Sequence, residues 1–305
     1  MSAKLVICVS GGLDSLGAYY YAQYKYCPAK EINFDDVVLL SVNDKDGDYS
    51  KKELEVMLDL YPLQKMKLVD IYGYSAVAKT DDHVILGRNA MIASVAAAVA
   101  PMVWISGTGY EDNEGMYDKN TGFWLRMSDV LTQACRYKRK ENTIVLSPFQ
   151  GNFVSTVLGV DYQFPSWDKP EIIKFLEDNN ITSWRQTTSC FHFNKLRCGE
   201  CPVCGKRFVY EKVAELNWGI RFSTKFELRD TYSKDPLNNK YLMETWDKME
   251  SAIDSWEFRR YPISRILLYF RVLQYYGYQD FKSKWIKKNL VGADPKALLQ
   301  GRFGL

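Results

Sequence analysis

The apolar run Leu5-Val6-Ile7-Cys8-Val9 breaks into Ser10-Gly11-Gly12-Leu13-Asp14-Ser15, and a helical pattern resumes within a few residues. A buried strand that ends in a small polar turn and re-enters as a helix is the opening unit of an alternating strand–helix sheet. In such sheets ligands sit at the carboxyl edge, where this turn would lie. Gly11 and Gly12 are expected to adopt backbone conformations closed to other residues, so that successive N–H groups point into one concavity. A helix starting near Asp14 adds the positive end of its dipole. Ser10 and Ser15 offer hydroxyls to phosphate oxygens. Asp14 would repel an anion, so its expected task is to ligate Mg2+ brought in with the phosphates. A plain tight turn with Asp14 or Ser15 as helix N-cap is the simpler alternative. No Gly-Lys-Ser/Thr follows, so this is not a Walker A loop.

The first half continues the alternation. Strands are predicted at 5–9, 37–42, 67–71, 102–106 and 143–146, and helices at 16–24, 51–60 and 89–99. Leu54, Met57 and Leu58 share one face of the second helix. Strands separated by helical crossovers predict an α/β fold with a parallel sheet covered on both faces. The turns after Val9, Val42 and Ser106 then share the carboxyl edge. The polar pieces Asp44–Tyr49 and Tyr110–Gly122 read as loops.

Four thiols follow, Cys190, Cys198, Cys201 and Cys204, spaced C-x7-C-x2-C-x2-C. C-x2-C pairs form tight knuckles, and a thiol a few residues upstream completes a tetrahedron for structural Zn2+. An iron–sulfur cluster also accepts four cysteines, but compact knuckles favour zinc. His192 is a competing ligand, but four thiols already fill zinc's coordination, so a surface or hydrogen-bonded histidine is the favoured reading. Cys8 and Cys27 are expected to pack. Cys135, on a helical pattern, is the remaining candidate for a reactive thiol.

Composition excludes several classes. The longest apolar run, Ala90 to Ile105, is broken by Pro101 and is too short to span a membrane. The first apolar stretch is too short for a signal peptide. Clustered cysteines without an export signal predict a reducing, cytoplasmic setting and metal rather than disulfides. The net charge of +3 is too small to argue for nucleic acid by itself. From Gly205 onward, however, 19 Lys and Arg stand against 12 acids. Beyond the knuckle the pattern turns helical, at 207–218, 241–255 and 263–276, with Trp246, Trp256, Tyr269 and Trp285 among Arg259, Arg260, Arg265 and Arg271. Such interleaving either packs as amphipathic helices on the core or another subunit, or binds single-stranded nucleic acid; packing is the favoured reading.

The S-G-G-x-D-S turn resembles that of the PP-loop, or N-type, ATP pyrophosphatases, which adenylate a substrate and release pyrophosphate. A PP-loop followed by this cysteine spacing resembles the 7-cyano-7-deazaguanine synthase, or QueC, family. Gly87-Arg88-Asn89 is similar to that family's P-G-R-N segment, with Leu86 in place of Pro. Gly107 and the skeleton Asp112, Gly115 and Asp118 are similar to its G-V-x-x-x-D-x-S-G-Y-P-D-C-R segment. Around that skeleton, Glu114-Gly115-Met116-Tyr117 replaces Ser-Gly-Tyr-Pro, and Lys119-Asn120 replaces Cys-Arg.

The resemblance implies an adenine nucleotide alpha hydrolase-like domain over 1–189, a zinc-knuckle segment over 190–218 and a helical extension over 219–305. It implies an ATP-dependent carbon–nitrogen ligase that uses ATP, Mg2+ and Zn2+. A 7-carboxy-7-deazaguanine would be adenylated and converted with ammonia to amide and then nitrile. Nucleotide-binding positions would be Val9, Ser10, Gly11, Gly12, Leu13, Asp14 and Ser15, with Val42, Arg88 and Gly107. Catalytic roles would fall to Asp14, Ser15, Arg88 and Asp112. The deazapurine would meet Asn89, Asp112, Gly115 and Asp118. Zinc would be held by Cys190, Cys198, Cys201 and Cys204. Three other readings stay open: an enzyme that stops at the amide or transfers the deazapurine to a protein or nucleic-acid amine, a tRNA thiolase using Cys135, and a non-catalytic nucleotide-binding module. A homodimer also stays open.

Overall fold

The computed structural model describes residues 3–44, 48–72, 87–109, 118–188, 190 and 197–220. The expected helices over 241–255 and 263–276, with the basic aromatic tail, lie outside the described residues, as do Asp112, Gly115 and His192. The chain divides into two compact units, Met1–Thr188 and Ser189–Leu305.

In the first unit five strands form one sheet: β1 (Leu5–Cys8), β2 (Val37–Asp44), β3 (Met66–Ile71), β4 (Met102–Ile105) and β5 (Ile144–Leu146). Their order is β3-β2-β1-β4-β5 and every pairing is parallel, as the sequence pattern predicts. Leu5, Val6 and Ile7 of β1 and Val103 and Trp104 of β4 are fully buried. A central parallel strand is covered on both faces, which is why these runs are continuously apolar rather than alternating. The crossovers include α1 (Leu13–Tyr21), α2 (Asp48–Leu60), α3 (Arg88–Ala97) and α4 (Thr121–Cys135).

The chain starts at the sheet's centre, winds to one side through β2 and β3, and returns to build β4 and β5 on the other. That reversal opens a crevice at the carboxyl ends of β1 and β4. Cys8 pairs with Ile105, so the turn after β1 and the residues after β4 leave the sheet at the same level.

Several boundaries differ from the sequence reading. The first helix begins at Leu13 rather than Leu16, and its third turn widens to π geometry over Ala22–Tyr26 before running on through Cys27–Ala29. β2 runs on to Asp44 and α2 begins at Asp48, so both reach into the stretch expected to be loop. α4 had shown itself in the sequence only around Cys135. Its buried side includes Ser128 and Thr132, whose hydroxyls bond the backbone of Val145 and Thr143 in and beside β5. Polar residues on the packed face blur the apolar periodicity that would have revealed it.

Two further elements were not expected. Phe153–Ser155 (β6) and Val160–Tyr162 (β7) form an antiparallel hairpin turned by Gly159, whose φ of +65° is left-handed. Lys169–Asp178 (α5) follows, opened by a capping box between Asp168 and Glu171. It packs Ile172, Ile173 and Leu176 into the core. At Gly17 a Cβ would collide with Ile172 Cγ2, so a glycine there lets α1 and α5 approach closely. Among the described residues no helix is long and apolar enough to cross a membrane.

In the second unit α6 spans Pro202–Trp218 and stops at Gly219, with φ of +65°. It begins five residues earlier than the sequence pattern indicated. The reason is the Cys201 cap, whose Sγ accepts the Cys204 N–H, followed by Pro202, which suits a first helical turn. Phe208, Val209, Val213 and Ala214 are buried.

Candidate functional site

The turn after β1 is wound by its own side chains. The Ser15 hydroxyl lies 2.9 Å from the Ser10 carbonyl oxygen and 3.0 Å from that of Gly12, and the Ser10 N–H donates back to Ser15 Oγ at 3.2 Å. Ser10 Oγ accepts the Gly12 N–H at 3.2 Å. Tyr61, just beyond α2, donates to the Ser10 carbonyl at 3.1 Å and sits 3.1 Å from Ser15 Oγ. Burial pushes the Tyr61 phenol well above its ordinary range, while its bond to Ser15 pulls the other way. The Gly11 carbonyl accepts from Thr188 N at 2.7 Å.

This corrects the expected role of the glycines. Gly12 has φ of −85° and caps α1 without any side-chain bond, and Gly11 is not among the glycines with positive φ. The concavity therefore owes its shape to the two serines and Tyr61, not to left-handed backbone. A Cβ at Gly11 would stand 3.4 Å from Val56 Cγ1, an ordinary van der Waals contact, so neither positive φ nor a clash demands glycine there. Val9 closes the strand by donating to Leu40 O at 2.8 Å, and Leu13 is buried beneath the turn.

Asp14 faces a cation the sequence reading had missed. Lys169, the first residue of α5, forms an ion pair with Asp14 Oδ2, and both side chains are mostly buried. Asp14 Oδ1 is buried and has no hydrogen-bond partner among the described residues. A buried carboxylate oxygen without a donor is a costly arrangement that a cation would relieve, so this position fits Mg2+. The sequence did carry a signal for α5: Asp168-Lys-Pro-Glu171 before Ile172-Ile173 is a capping box ahead of an apolar run.

Glu53 of α2 accepts the Gly11 N–H at 3.3 Å. Burial raises its pKa, whereas the bond from Gly11 and the charge of Arg88 act to lower it. Arg88 opens α3 after Gly87, whose φ is +69°. Asn89, buried, donates from Nδ2 to both the carbonyl and the carboxylate of Asp118, each at 3.0 Å. The expected substrate residues Asn89 and Asp118 are thus brought together and bond each other. Gly107 follows β4, and both its N–H and its carbonyl are engaged by the Ser147 hydroxyl, at 2.9 and 2.6 Å. Beside it, Ser106 Oγ is buried without a partner among the described residues, leaving one polar group for a ligand at that edge. Val42 lies in β2, paired with Val69, one strand from the turn.

In the second unit the Sγ atoms of Cys190, Cys198, Cys201 and Cys204 lie within 4.8 Å of one another, and all four residues are buried. Cys198 and Cys204 sulfurs are 3.8 Å apart, matching the edge of about 3.8 Å of a tetrahedron with Zn–S bonds of about 2.3 Å. Backbone N–H groups point at the sulfurs: Cys198 N at Cys190, Glu200 N and Cys201 N at Cys198, and Cys204 N at Cys201, at 3.2–3.5 Å. Hydrogen bonding among the thiols, with burial, pushes Cys190 and Cys204 up from their ordinary values. Four clustered thiols cannot all ionise without a central cation, and the set fits zinc. Beneath them Glu211 bonds Arg197 at 2.7 Å and Arg207 at 2.6 Å. Burial works against its charge, yet the two guanidiniums win and hold Glu211 below its ordinary value.

A parallel sheet with a polar turn at its switch point, followed in the chain by four clustered thiols that could hold a metal ion, defines an α/β protein with two candidate sites. The chain belongs to the queuosine biosynthesis protein QueC family, whose model matches residues 4–210. It is also similar to the 7-cyano-7-deazaguanine synthase of Pyrococcus furiosus, with 26% identity over 247 residues, covering 68% of this chain and 91% of that protein.

Proposed function

We propose that the chain is an ATP-dependent ligase that activates the carboxylate of a 7-carboxy-7-deazaguanine and converts it, with ammonia, to the amide and then the nitrile. The observation that carries this reading is Asp14, set in a turn at the sheet's switch point with one buried oxygen that has no donor among the described residues. The substrate class is supported by family membership and by the Pyrococcus furiosus relative.

In the first half-reaction a substrate carboxylate oxygen attacks the α-phosphorus of ATP and pyrophosphate departs. The acyl adenylate is then attacked at its carbonyl carbon by ammonia, AMP leaves, and a proton is lost to give the amide. A second ATP adenylates the amide oxygen, and loss of AMP and two protons leaves the nitrile. The Gly11 N–H and the positive end of α1 would hold the leaving pyrophosphate. Magnesium, held by Asp14, would neutralise charge on that leaving group. Lys169 and Arg88 would add fixed positive charge on either side. Most of the acceleration would come from positioning and charge neutralisation. Zinc, held by Cys190, Cys198, Cys201 and Cys204, would organise the second unit and take no part in the chemistry.

The thiolation alternative loses support. Cys135 ends α4 where that helix meets the start of β5, with its sulfur 3.9 Å from Ala97 O at the end of α3. That is the amino edge of the sheet, opposite the turn. The test is mass spectrometry of products from the purified protein, carboxylated deazaguanine, ATP and ammonia. The expected products are AMP, pyrophosphate and the nitrile. Amide alone would favour the enzyme that stops early or passes the deazapurine to another amine, and absence of AMP would reject the ligase.

A further inference from the structure

The Gly11 N–H is among the donors a phosphate would use, and a carboxylate already sits on it. Glu53 Oε1 is 3.3 Å from Gly11 N, across 42 residues of sequence. The peptide carrying this N–H cannot rotate to hide it. Its carbonyl, that of Ser10, is held from the other side by Ser15 Oγ at 2.9 Å and Tyr61 at 3.1 Å. Helix α2 cannot back away either. Val56, one turn beyond Glu53, reaches 3.4 Å from where a Gly11 Cβ would stand, and Met57 and Leu60 are buried in the core. The group that would have to move is therefore the Glu53 side chain. The charge of Arg88 is felt by the same carboxylate, so an amide and a guanidinium suited to phosphate both serve Glu53.

A carboxylate and a phosphate oxygen cannot share one donor. Two anions about 4 Å apart repel strongly where water is partly excluded. Resting on the nucleotide reading above, we propose that Glu53 is a built-in competitor for the pyrophosphate seat. Its carboxylate takes the Gly11 N–H before nucleotide enters, swings aside when the phosphates arrive, and returns to expel pyrophosphate after adenylation. Glu53 is thus a product-release residue, and its charge limits how tightly the turn holds its leaving group.

The experiment is calorimetric titration of inorganic pyrophosphate with magnesium into the full-length wild type, Glu53→Gln and Glu53→Ala. Both variants lose the competing charge, and Glu53→Gln keeps the shape of the side chain. Each should bind pyrophosphate about tenfold or more tightly than wild type, with pyrophosphate inhibition of AMP formation strengthened in step. Equal or weaker binding by the variants, with wild type binding normally, overturns the competitor and leaves the ligase reading intact. Absence of pyrophosphate binding by the wild type and by both variants overturns both.

Discussion

The turn after β1 and the four-cysteine knuckle are both candidate sites for small inorganic partners, but they are built on opposite terms. In the turn, neutral hydroxyls and backbone groups satisfy most of one another's bonds, through Ser10, Gly12, Ser15 and Tyr61, while Glu53 takes the Gly11 N–H and Lys169 pairs with Asp14. In the knuckle, four buried sulfurs face one another and the surrounding N–H groups point inward at them. Nothing within that cluster can balance four thiolates. The lesson is that an anion seat can fold first and bind later, whereas a thiolate metal site makes its ligand part of the fold.

The largest expected effect comes from Cys201→Ser. Structural zinc contributes roughly 10–16 kcal/mol in small thiolate sites, and Cys201 also caps α6. The variant should lose zinc by elemental analysis and lose hydrogen-exchange protection along α6, while pyrophosphate binding at the turn persists. A fully metallated variant, or loss of both sites together, would break the contrast. Next is Asp14→Asn. AMP formation should fall by about a hundredfold or more, with circular dichroism and zinc content unchanged. Wild-type turnover would remove Asp14 from the chemistry.

A smaller effect is expected of Tyr61→Phe. It removes one hydroxyl from the turn's internal bonds, at a cost of about 1–2 kcal/mol in urea unfolding. No change in stability would mean the turn does not depend on its internal bonds. The smallest effect concerns pH and α5, the helix that brings Lys169 to Asp14. Burial first, and then the Asp168 carboxylate, push Glu171 up from 4.5 to about 7. The folded state therefore keeps a proton that the unfolded chain gives up. Stability from this group is present below about pH 4.5 and is lost as pH rises through about 7. Glu171→Gln should flatten that fall, as read from urea midpoints at about pH 5 and about pH 8. An unchanged slope would show that Glu171 does not titrate in this range.

Part of the site could be read directly from neighbouring residues. The strand, turn and helix from Leu5 to Tyr21 are contiguous, and so is the chelating spacing of the last three thiols. The glycines misled because composition alone does not say whether Gly11 and Gly12 serve φ or space, and here the backbone stays in ordinary regions. α5 was legible in principle from its capping box. α4 was masked by Ser128 and Thr132, which face β5 as hydrogen-bonding groups.

The sequence by itself determined the parallel α/β class, the position of the serine- and glycine-rich turn after β1 and the identity of the thiol cluster. Each of these depends on short-range rules: strand and helix periodicity, turn chemistry and the reach of a chelate. Only the tertiary structure decided what surrounds the turn. Lys169 meets Asp14 across 155 residues, Tyr61 meets Ser15 across 46, and Glu53 meets Gly11 across 42. Those partners are fixed by how α2 and α5 pack around β1 and α1. Such packing depends on buried apolar surfaces from distant segments, and an isolated Lys, Tyr or Glu in the sequence bears no mark of the neighbour it will find.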